Sequence, residues 1–208
     1  GRFYAPDWQQ MPKADRARIT IDGSTTVEQD FKTLHWNMIY AEAGLQLEGD
    51  PYLIAGYARN TIKALSFVIL NSDNLDSLAR QITKSASTKT QATAAKWKAT
   101  IEQHKLRRSR GLKDKEPKKP KVLKGYIEGM PVGTKGGRLV EALRERHKPV
   151  IHLLGTKDIG LRLQRKDSDI MADILAACTA ENIPCLPIHD SVICKTKHQG
   201  LVYGIMLA

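Results

Sequence analysis

The stretch Cys185-Leu186-Pro187-Ile188-His189-Asp190-Ser191-Val192-Ile193-Cys194 places a polar triplet between two short apolar runs. This pattern predicts two buried β-strands joined by a tight turn, with the polar side chains at the turn. An aspartate at such a position often hydrogen-bonds to its own backbone. The alternative is a carboxylate at the edge of a sheet that binds a metal ion, and other parts of the chain favour this alternative.

A second aspartate lies at the end of another predicted strand. Ile19-Thr20-Ile21 and Thr25-Thr26-Val27 flank the turn sequence Asp22-Gly23, which predicts a β-hairpin that continues to Asp30. Apolar residues then recur at helical spacing over 34–44. Asp30 therefore stands where a strand gives way to a helix, and it either caps that helix or offers a second carboxylate for metal ions.

A predicted helix over 57–71 carries two cations and one aromatic ring on a single face. Arg59, Lys63 and Phe67 are spaced four residues apart, so they form a row about 12 Å long. Such a row suits the phosphates and the base of a nucleoside triphosphate. The alternative is an ordinary surface helix in which Phe67 belongs to the hydrophobic core.

Positive charge is concentrated in residues 84–124, which we call the basic segment. The 208-residue chain has a formal net charge of +11, and the basic segment alone holds eleven lysines, three arginines and three acidic residues. It therefore carries the whole excess, which favours binding to a polyanion such as nucleic acid. A solvated basic loop would have the same composition. A helix is predicted over 91–108, and the expected nucleic-acid contacts are Lys96, Lys98, Arg107 and Arg108.

Composition excludes several classes of protein. No apolar run approaches the roughly 20 residues that span a bilayer, and no signal peptide is recognisable, so we expect an intracellular protein without a membrane partner. The three cysteines are odd in number and lack metal-ligand spacing, which favours three buried thiols over a zinc site or a disulfide framework. The chain starts at Gly1 and ends inside a helical pattern, so we expect sequence missing at both ends.

Two further helices are predicted before the 185–194 stretch. One runs from Leu139 to Arg146, after a glycine-rich piece over 129–137 that lacks the spacing of a phosphate-binding P-loop. The other is expected to start after Asp167-Ser168, which would act as its cap, and to bury the stripe Ile170, Ile174 and Cys178.

Several of these stretches, taken in order, resemble motifs of the family A DNA polymerases, the DNA polymerase I type, and more distantly of the single-subunit phage-type RNA polymerases. Gly1-Arg2 with Gln9-Gln10-Met11-Pro12 resembles the GR…LQNIP stretch that opens the palm. Asp30-Phe31-Lys32-Thr33-Leu34-His35 is similar to motif A, DYSQIE. Arg59, Lys63 and Phe67 fit motif B, R-x3-K-x3-F, of the fingers helix.

The same order continues near the C-terminal end. The stretch from Gln164 to Asp169 resembles the QGTAAD stretch, and Ile188-His189-Asp190 resembles motif C. In the phage-type RNA polymerases motif A reads Asp-Gly-Ser, which makes Asp22-Gly23-Ser24 a rival to Asp30. We prefer Asp30 because the amphipathic helix begins only after it.

The resemblance implies a role for each matched residue. Asp30 and Asp190 would be the catalytic carboxylates that bind two Mg²⁺ or Mn²⁺ ions. Arg59 and Lys63 would contact the triphosphate, and Phe67 would stack against sugar and base. His35 stands where the DNA polymerases carry the glutamate that excludes the ribose 2′-hydroxyl. Three further residues would contact the primer–template: Arg2, Gln164 and His189.

We therefore expect an α+β fold, a polymerase palm with an antiparallel sheet, packed helices, an inserted mostly helical fingers subdomain and no thumb. The palm would comprise 1–51 and 149–208, and the fingers 52–148. The expected function is template-directed nucleotidyl transfer, from dNTP onto primer–template DNA. One alternative is a single-subunit RNA polymerase or primase-like enzyme, since Ser191 after Asp190 is closer to the RNA enzymes. The other is a non-catalytic palm that binds nucleic acid through the basic segment.

Overall fold

The computed structural model describes residues 7–113 and 115–207, and they form an α+β fold with a four-stranded antiparallel sheet. The strands are β1 (Thr20–Ile21), β2 (Ser24–Asp30), β3 (Cys185–Ile188) and β4 (Ser191–Lys195), in the order β1-β2-β4-β3. The helices are α1 (Lys13–Arg16), α2 (Leu34–Glu42), α3 (Arg59–Leu70), α4 (Leu75–Ser85), α5 (Thr88–Ser109), α6 (Gly136–Arg146), α7 (Ile159–Ala180) and α8 (Gln199–Leu207). Short 3-10 turns lie at Asp7–Gln9, Lys121–Leu123, Lys148–Leu153 and Thr196–His198.

The chain divides into two compact units. The first unit combines residues 1–47 with 160–208, and the second unit is the continuous piece 48–159 between them. The sheet belongs to the first unit, whereas α3 to α6 belong to the second. The inserted piece was expected at 52–148. In the structure it begins four residues earlier, at 48, and ends eleven residues later, at 159. Whether the two units are a palm and fingers stays a prediction.

Two tight hairpins shape the sheet of the first unit. Residues Ile21 and Ser24 pair across the turn Asp22-Gly23, whose φ angles of 47° and 71° are both positive. Glycine and aspartate tolerate this conformation, so the predicted Asp-Gly turn is confirmed. The second hairpin pairs Ile188 with Ser191 and leaves His189-Asp190 as a two-residue turn.

One face of the sheet carries the core of the first unit. Val192 and Cys194 of β4 pack with three residues of α7 spaced along one helical face and with two residues of α8. The packed helical residues are Met171, Ile174, Cys178, Val202 and Met206. Because side chains alternate along a strand, Glu28 and Asp30 lie on the face opposite Val27, which packs against this core.

The second unit is helical, and a glycine allows two of its helices to approach closely. A Cβ atom built on Gly136, the first residue of α6, would lie 1.8 Å from the carbonyl oxygen of Ala79 in α4. The backbone N–H of Gly136 donates to Oγ1 of Thr83 at 3.0 Å. Apolar side chains of three helices are buried in this unit: Ile62, Leu65, Ile69, Leu78, Ile82, Leu139 and Leu143.

The expected start of the helix before β3 is wrong. Asp167 and Ser168 do not cap it, because α7 begins at Ile159 and both residues are buried within it. The apolar stripe extends backwards through Leu163 and Ile159, which are also buried, and this burial stabilises two additional turns.

Other helices differ from the expectations at their ends. The helix α6 begins at Gly136 rather than Leu139, so part of the glycine-rich piece is helical. The helix α4 was not predicted, and its N-terminus is capped by Asn74, whose side chain accepts from the N–H of Asp76 at 2.7 Å and of Ser77 at 3.1 Å.

The prediction of three buried thiols is confirmed in part. All three cysteines are free thiols, and Cys178 and Cys194 are buried as predicted, whereas Cys185 is only half-buried. Burial raises the pKa of Cys185 and of Cys194.

None of the helices within 7–113 and 115–207 is both long and apolar enough to cross a membrane.

Candidate functional site

The pairing of β2 with β4 brings together the two aspartates singled out in the sequence. Asp30, the last residue of β2, pairs with Ser191, the first residue of β4. The backbone N–H of Phe31 donates to the carbonyl oxygen of Asp190 at 3.2 Å. Residues opposite each other in antiparallel strands have Cα atoms about 5 Å apart, so two aspartates 160 positions apart in sequence become backbone neighbours.

The two aspartates are also accessible from outside the core. Asp30 is exposed and lies on the face of β2 that does not pack against α7 and α8, and Asp190 is half-buried in the hairpin turn. His189, its neighbour in the turn, has a φ of 48° and an exposed position. This end of the β2–β4 pair therefore presents two carboxylate-bearing residues and a histidine on adjacent pieces of backbone.

An ion pair lies next to this end of the β2–β4 pair. Glu28 precedes Asp30 by two residues on the same face, and its carboxylate accepts from Nε and Nη2 of Arg16 at 3.0 and 2.9 Å. The hydroxyl of Ser191 lies 3.1 Å from the same carboxylate. The hydrogen bonds from Arg16 hold the pKa of Glu28 below its ordinary value. The Glu28 side chain thus contacts both Arg16 and Ser191 of β4, beside the two aspartates. Sequence reasoning missed this role.

The rival aspartate lies at the opposite end of the strand pair. Asp22 is in the β1–β2 turn, and its carboxylate accepts from Nζ of Lys195 at 2.6 Å. This lysine lowers the pKa of Asp22. Since β2 runs from Ser24 to Asp30, about 20 Å separates its two ends, and Asp22 is not part of the Asp30–Asp190 group.

A second constellation in the first unit joins α2 to α7. His35, in the first turn of α2, places Nε2 3.9 Å from Oδ2 of Asp167. The side chain of Asp167 is only 1% exposed, whereas that of His35 is 25% exposed. His35 therefore lies near a buried acidic residue, Asp167, which was expected to be a helix cap. Gln164, three residues earlier on α7, is half-buried.

The row on α3 is exposed over its whole length. Arg59, Lys63 and Phe67 are all exposed, and Phe67 retains 64% of its accessible surface, while the buried residues of α3 lie on its other faces. The alternative in which Phe67 belongs to the core is therefore wrong. An exposed phenylalanine beside two cations is a surface on which an anionic, ring-containing ligand can bind.

Arg59 is held in place by its neighbours in the second unit. Its Nε donates to the carboxylate of Asp50, and its guanidinium lies 5.1 Å from the centre of the Tyr52 ring. The hydrogen bond from Arg59 lowers the pKa of Asp50. Fixing a long side chain before a ligand arrives reduces the entropy that binding must overcome.

The predicted contacts of the basic segment lie on α5 and are exposed. They are Lys96, Lys98, Arg107 and Arg108. Lys98 has an acidic neighbour, with Nζ 3.5 Å from Oε1 of Glu128, and both side chains are almost fully exposed. Such a pair contributes little stability, so Lys98 can turn towards another anion. The predicted contact Arg2 lies outside the described residues.

Carboxylate groups such as those of Asp30 and Asp190 are ligands that suit a hard divalent cation. Mg²⁺ prefers one or two carboxylates together with substrate phosphates and water over a complete protein cage. Across 7–113 and 115–207, no group of three or more His, Cys, Asp or Glu side chains is arranged to hold a metal ion. Two carboxylate-bearing residues at one end of the β2–β4 pair suit a site in which substrate phosphates supply the remaining ligands. The nearby Glu28 is paired with Arg16.

Comparisons with family models, with curated proteins and with solved structures found no match to this chain.

Proposed function

We propose that this protein catalyses template-directed nucleotidyl transfer, extending a primer on a DNA template by a two-metal-ion mechanism of the family A type. The observation that carries the proposal is the adjacency of Asp30 and Asp190 at the end of the β2–β4 pair. Two carboxylate-bearing residues that are remote in sequence and adjacent at an accessible end of the β2–β4 pair suit two divalent ions. The exposed row on α3 and the basic segment add a nucleotide-binding and a nucleic-acid-binding surface.

Each candidate residue has a role that follows from its chemistry. Asp30 and Asp190 hold the divalent ions. When bound, two such ions activate a primer 3′-hydroxyl and stabilise the charge on the transferred phosphate. Glu28 joins the end of β2 to Ser191 of β4, beside Asp30 and Asp190, and Arg16 holds the Glu28 carboxylate.

Three residues of α3 have the chemistry of nucleotide contacts. Lys63 is a flexible point charge suited to phosphate oxygens, and Arg59 offers a planar fork that Asp50 and Tyr52 already orient. Phe67 offers an exposed ring for the sugar and base. His35, which lies near Asp167, takes the role of setting the identity of the sugar.

Primer extension with substituted aspartates tests the proposal. The 208-residue chain is incubated with a labelled primer–template, Mg²⁺ and saturating dNTP. Asp30→Asn and Asp190→Asn should each lower extension by at least about a thousandfold, since a metal ligand is lost. Asp22→Asn is the matched control, because it removes a carboxylate from the other end of β2, and it should leave extension unchanged. Extension that survives in Asp190→Asn would refute the mechanism.

The nucleotide-binding row is tested separately. Lys63→Ala should raise the apparent KM for dNTP about tenfold or more, because a charge-assisted contact of roughly 1.5–3 kcal/mol is lost, and Lys63→Arg should restore most of it. An unchanged KM in Lys63→Ala would contradict the triphosphate role.

The nature of the sugar defines the second candidate, a single-subunit RNA polymerase or primase-like enzyme. His35 in place of a glutamate and Ser191 after Asp190 favour it. Comparing kcat/KM for dNTP and rNTP in the same assay separates the two enzymes. Salt-sensitive DNA binding without metal-dependent extension from either nucleotide would instead indicate the non-catalytic nucleic-acid-binding palm.

A further inference from the structure

A groove with aromatic walls lies in the second unit, and its walls do not include the row on α3. It has a volume of about 560 Å³ and runs between one face of α5 and the segment 119–129. Its walls include Ala94, Trp97 and Lys98 from the helix, and Lys119 and Tyr126 from the segment. Small alanine side chains beside two large rings leave room for a flat group to enter.

The groove is built rigidly on the Tyr126 side. The hydroxyl of Tyr126 donates to Oε1 of Gln91 at 3.1 Å. The amide nitrogen of Gln91 in turn donates to the carbonyl oxygens of Ser85 at 2.7 Å and Met130 at 2.8 Å. This network joins three segments of the chain and holds the tyrosine ring through its hydroxyl group, in a wall of the groove.

Positive charge follows the same side of α5. Lys98 lines the groove, and Lys105 lies seven residues further on the same helical face, about 10 Å along the axis. Lys119 contributes from the opposite wall. Glu128 also lines the groove, and its contact with Lys98 at 3.5 Å is between almost fully exposed side chains. The basic segment around the groove has a net charge of +11.

We propose that this groove binds a single strand of nucleic acid, with unpaired bases stacked on Trp97 and Tyr126 and the phosphates on Lys98, Lys105 and Lys119. Aromatic platforms beside a basic track are how proteins hold single strands without reading their sequence. A duplex does not fit this role, because its base faces are already stacked and its phosphates alone would contact the protein. The inference goes beyond nucleotidyl transfer and does not depend on Asp30 or Asp190.

Binding measured without divalent metal separates this inference from the catalytic one. Fluorescence anisotropy of labelled oligo(dT) in EDTA is compared with a chain of the same length made of abasic nucleotides, which has the phosphates but no bases. Oligo(dT) should bind at least about 5-fold more tightly, because each base stacked on an aromatic ring raises the affinity by about 5- to 150-fold. Equal binding of the two chains would overturn the proposal, whatever the result of the extension assay.

Substitution in the groove locates the effect. Trp97→Leu should reduce the preference for oligo(dT) over the abasic chain by about 5- to 150-fold, the contribution of one stacked base, with unchanged circular dichroism showing that the fold is intact. Tyr126→Phe, which keeps the ring and loses only the hydrogen bond to Gln91, should retain the preference. A folded Trp97→Leu protein with an undiminished preference for oligo(dT) would refute the assignment, as would tighter binding of a duplex than of oligo(dT) by the unsubstituted chain.

Single lysines on opposite faces of α5 provide a matched test of the phosphate path. Replacing Lys98 by alanine should reduce the slope of log K against log salt by about 0.7, the contribution of one single-strand phosphate contact. Replacing Lys89, which lies on the opposite face of the helix, removes the same charge and should change the slope much less. Equal changes would show that the strand does not follow the groove.

Discussion

Replacing Gly136 by alanine should destabilise the second unit, whereas the same change at its neighbour Gly137 should stabilise it. A Cβ atom at position 136 would lie 1.8 Å from the carbonyl oxygen of Ala79 and 2.8 Å from Oγ1 of Thr83. At Gly137 no atom lies within 4 Å of the corresponding position. Both glycines are in the first turn of α6, so the pair isolates steric contact from helix propensity.

The magnitude follows from three contributions. A contact of 1.8 Å forces α4 and α6 apart, and overpacking of this kind destabilises by about 1–3 kcal/mol. The separation also breaks the 3.0 Å hydrogen bond from Gly136 to Thr83, which contributes about 1 kcal/mol. Alanine loses less backbone entropy on folding than glycine does, which stabilises the helix by roughly 0.5–1 kcal/mol. We expect a net loss of about 1–3 kcal/mol for Gly136→Ala and a gain of about 0.4–1 kcal/mol for Gly137→Ala.

Urea unfolding followed by circular dichroism measures the free energy of unfolding of both variants. Hydrogen exchange of the α6 amides reports on the second unit alone, because local opening of that helix is faster when α4 and α6 are strained. The same urea midpoint and the same exchange rates in the two variants would show that the α4 backbone does not limit the side chain at position 136, and would contradict the prediction.

Three further predictions concern groups whose pKa is shifted. Because Arg16 lowers the pKa of Glu28, the pair stabilises the fold above the ordinary glutamate pKa of about 4.3, and this contribution disappears as the pH falls through the lowered pKa. Glu28→Gln should therefore lower the melting temperature at about pH 7 and hardly at all at about pH 2; an equal loss at both would contradict the ion pair. Burial lowers the pKa of His147 to about 4, so the unfolded chain takes up the proton first as the pH falls below about 6.5. The second unit should then lose about 3 kcal/mol of stability between about pH 6.5 and 4, measured by urea unfolding, and His147→Gln should remove this dependence. Burial raises the pKa of Cys185 and Cys194, so iodoacetamide at about pH 8 should alkylate them much more slowly in the native protein than in urea, as read by mass spectrometry.

The local signals of the two hairpins were sufficient for prediction. Asp22-Gly23 supplies two residues that accept positive φ, and this is a property of the dipeptide itself. The apolar runs on either side of His189-Asp190 likewise predicted β3 and β4 correctly. In both cases the deciding interactions are between residues close in sequence.

Long-range packing explains the predictions that failed. Asp167-Ser168 has the composition of a helix cap, and only the burial of Ile159 and Leu163 shows that the helix starts eight residues earlier. Similarly, Phe67 could belong to the core or to the surface on the basis of its spacing alone. Its exposure depends on which face of α3 the rest of the second unit covers.

By itself the sequence determined the type of most elements, the turn chemistry, the concentration of charge at 84–124 and the residue types able to bind metal and phosphate. Only the tertiary structure decided that Asp30 and Asp190 are neighbours, that Glu28 is paired with Arg16, and that His35 lies against Asp167. The physical reason is that hydrogen bonding between β2 and β4, and packing of α2 near α7, join residues more than a hundred positions apart. No local propensity encodes such contacts, since they form only when the chain closes around a common core.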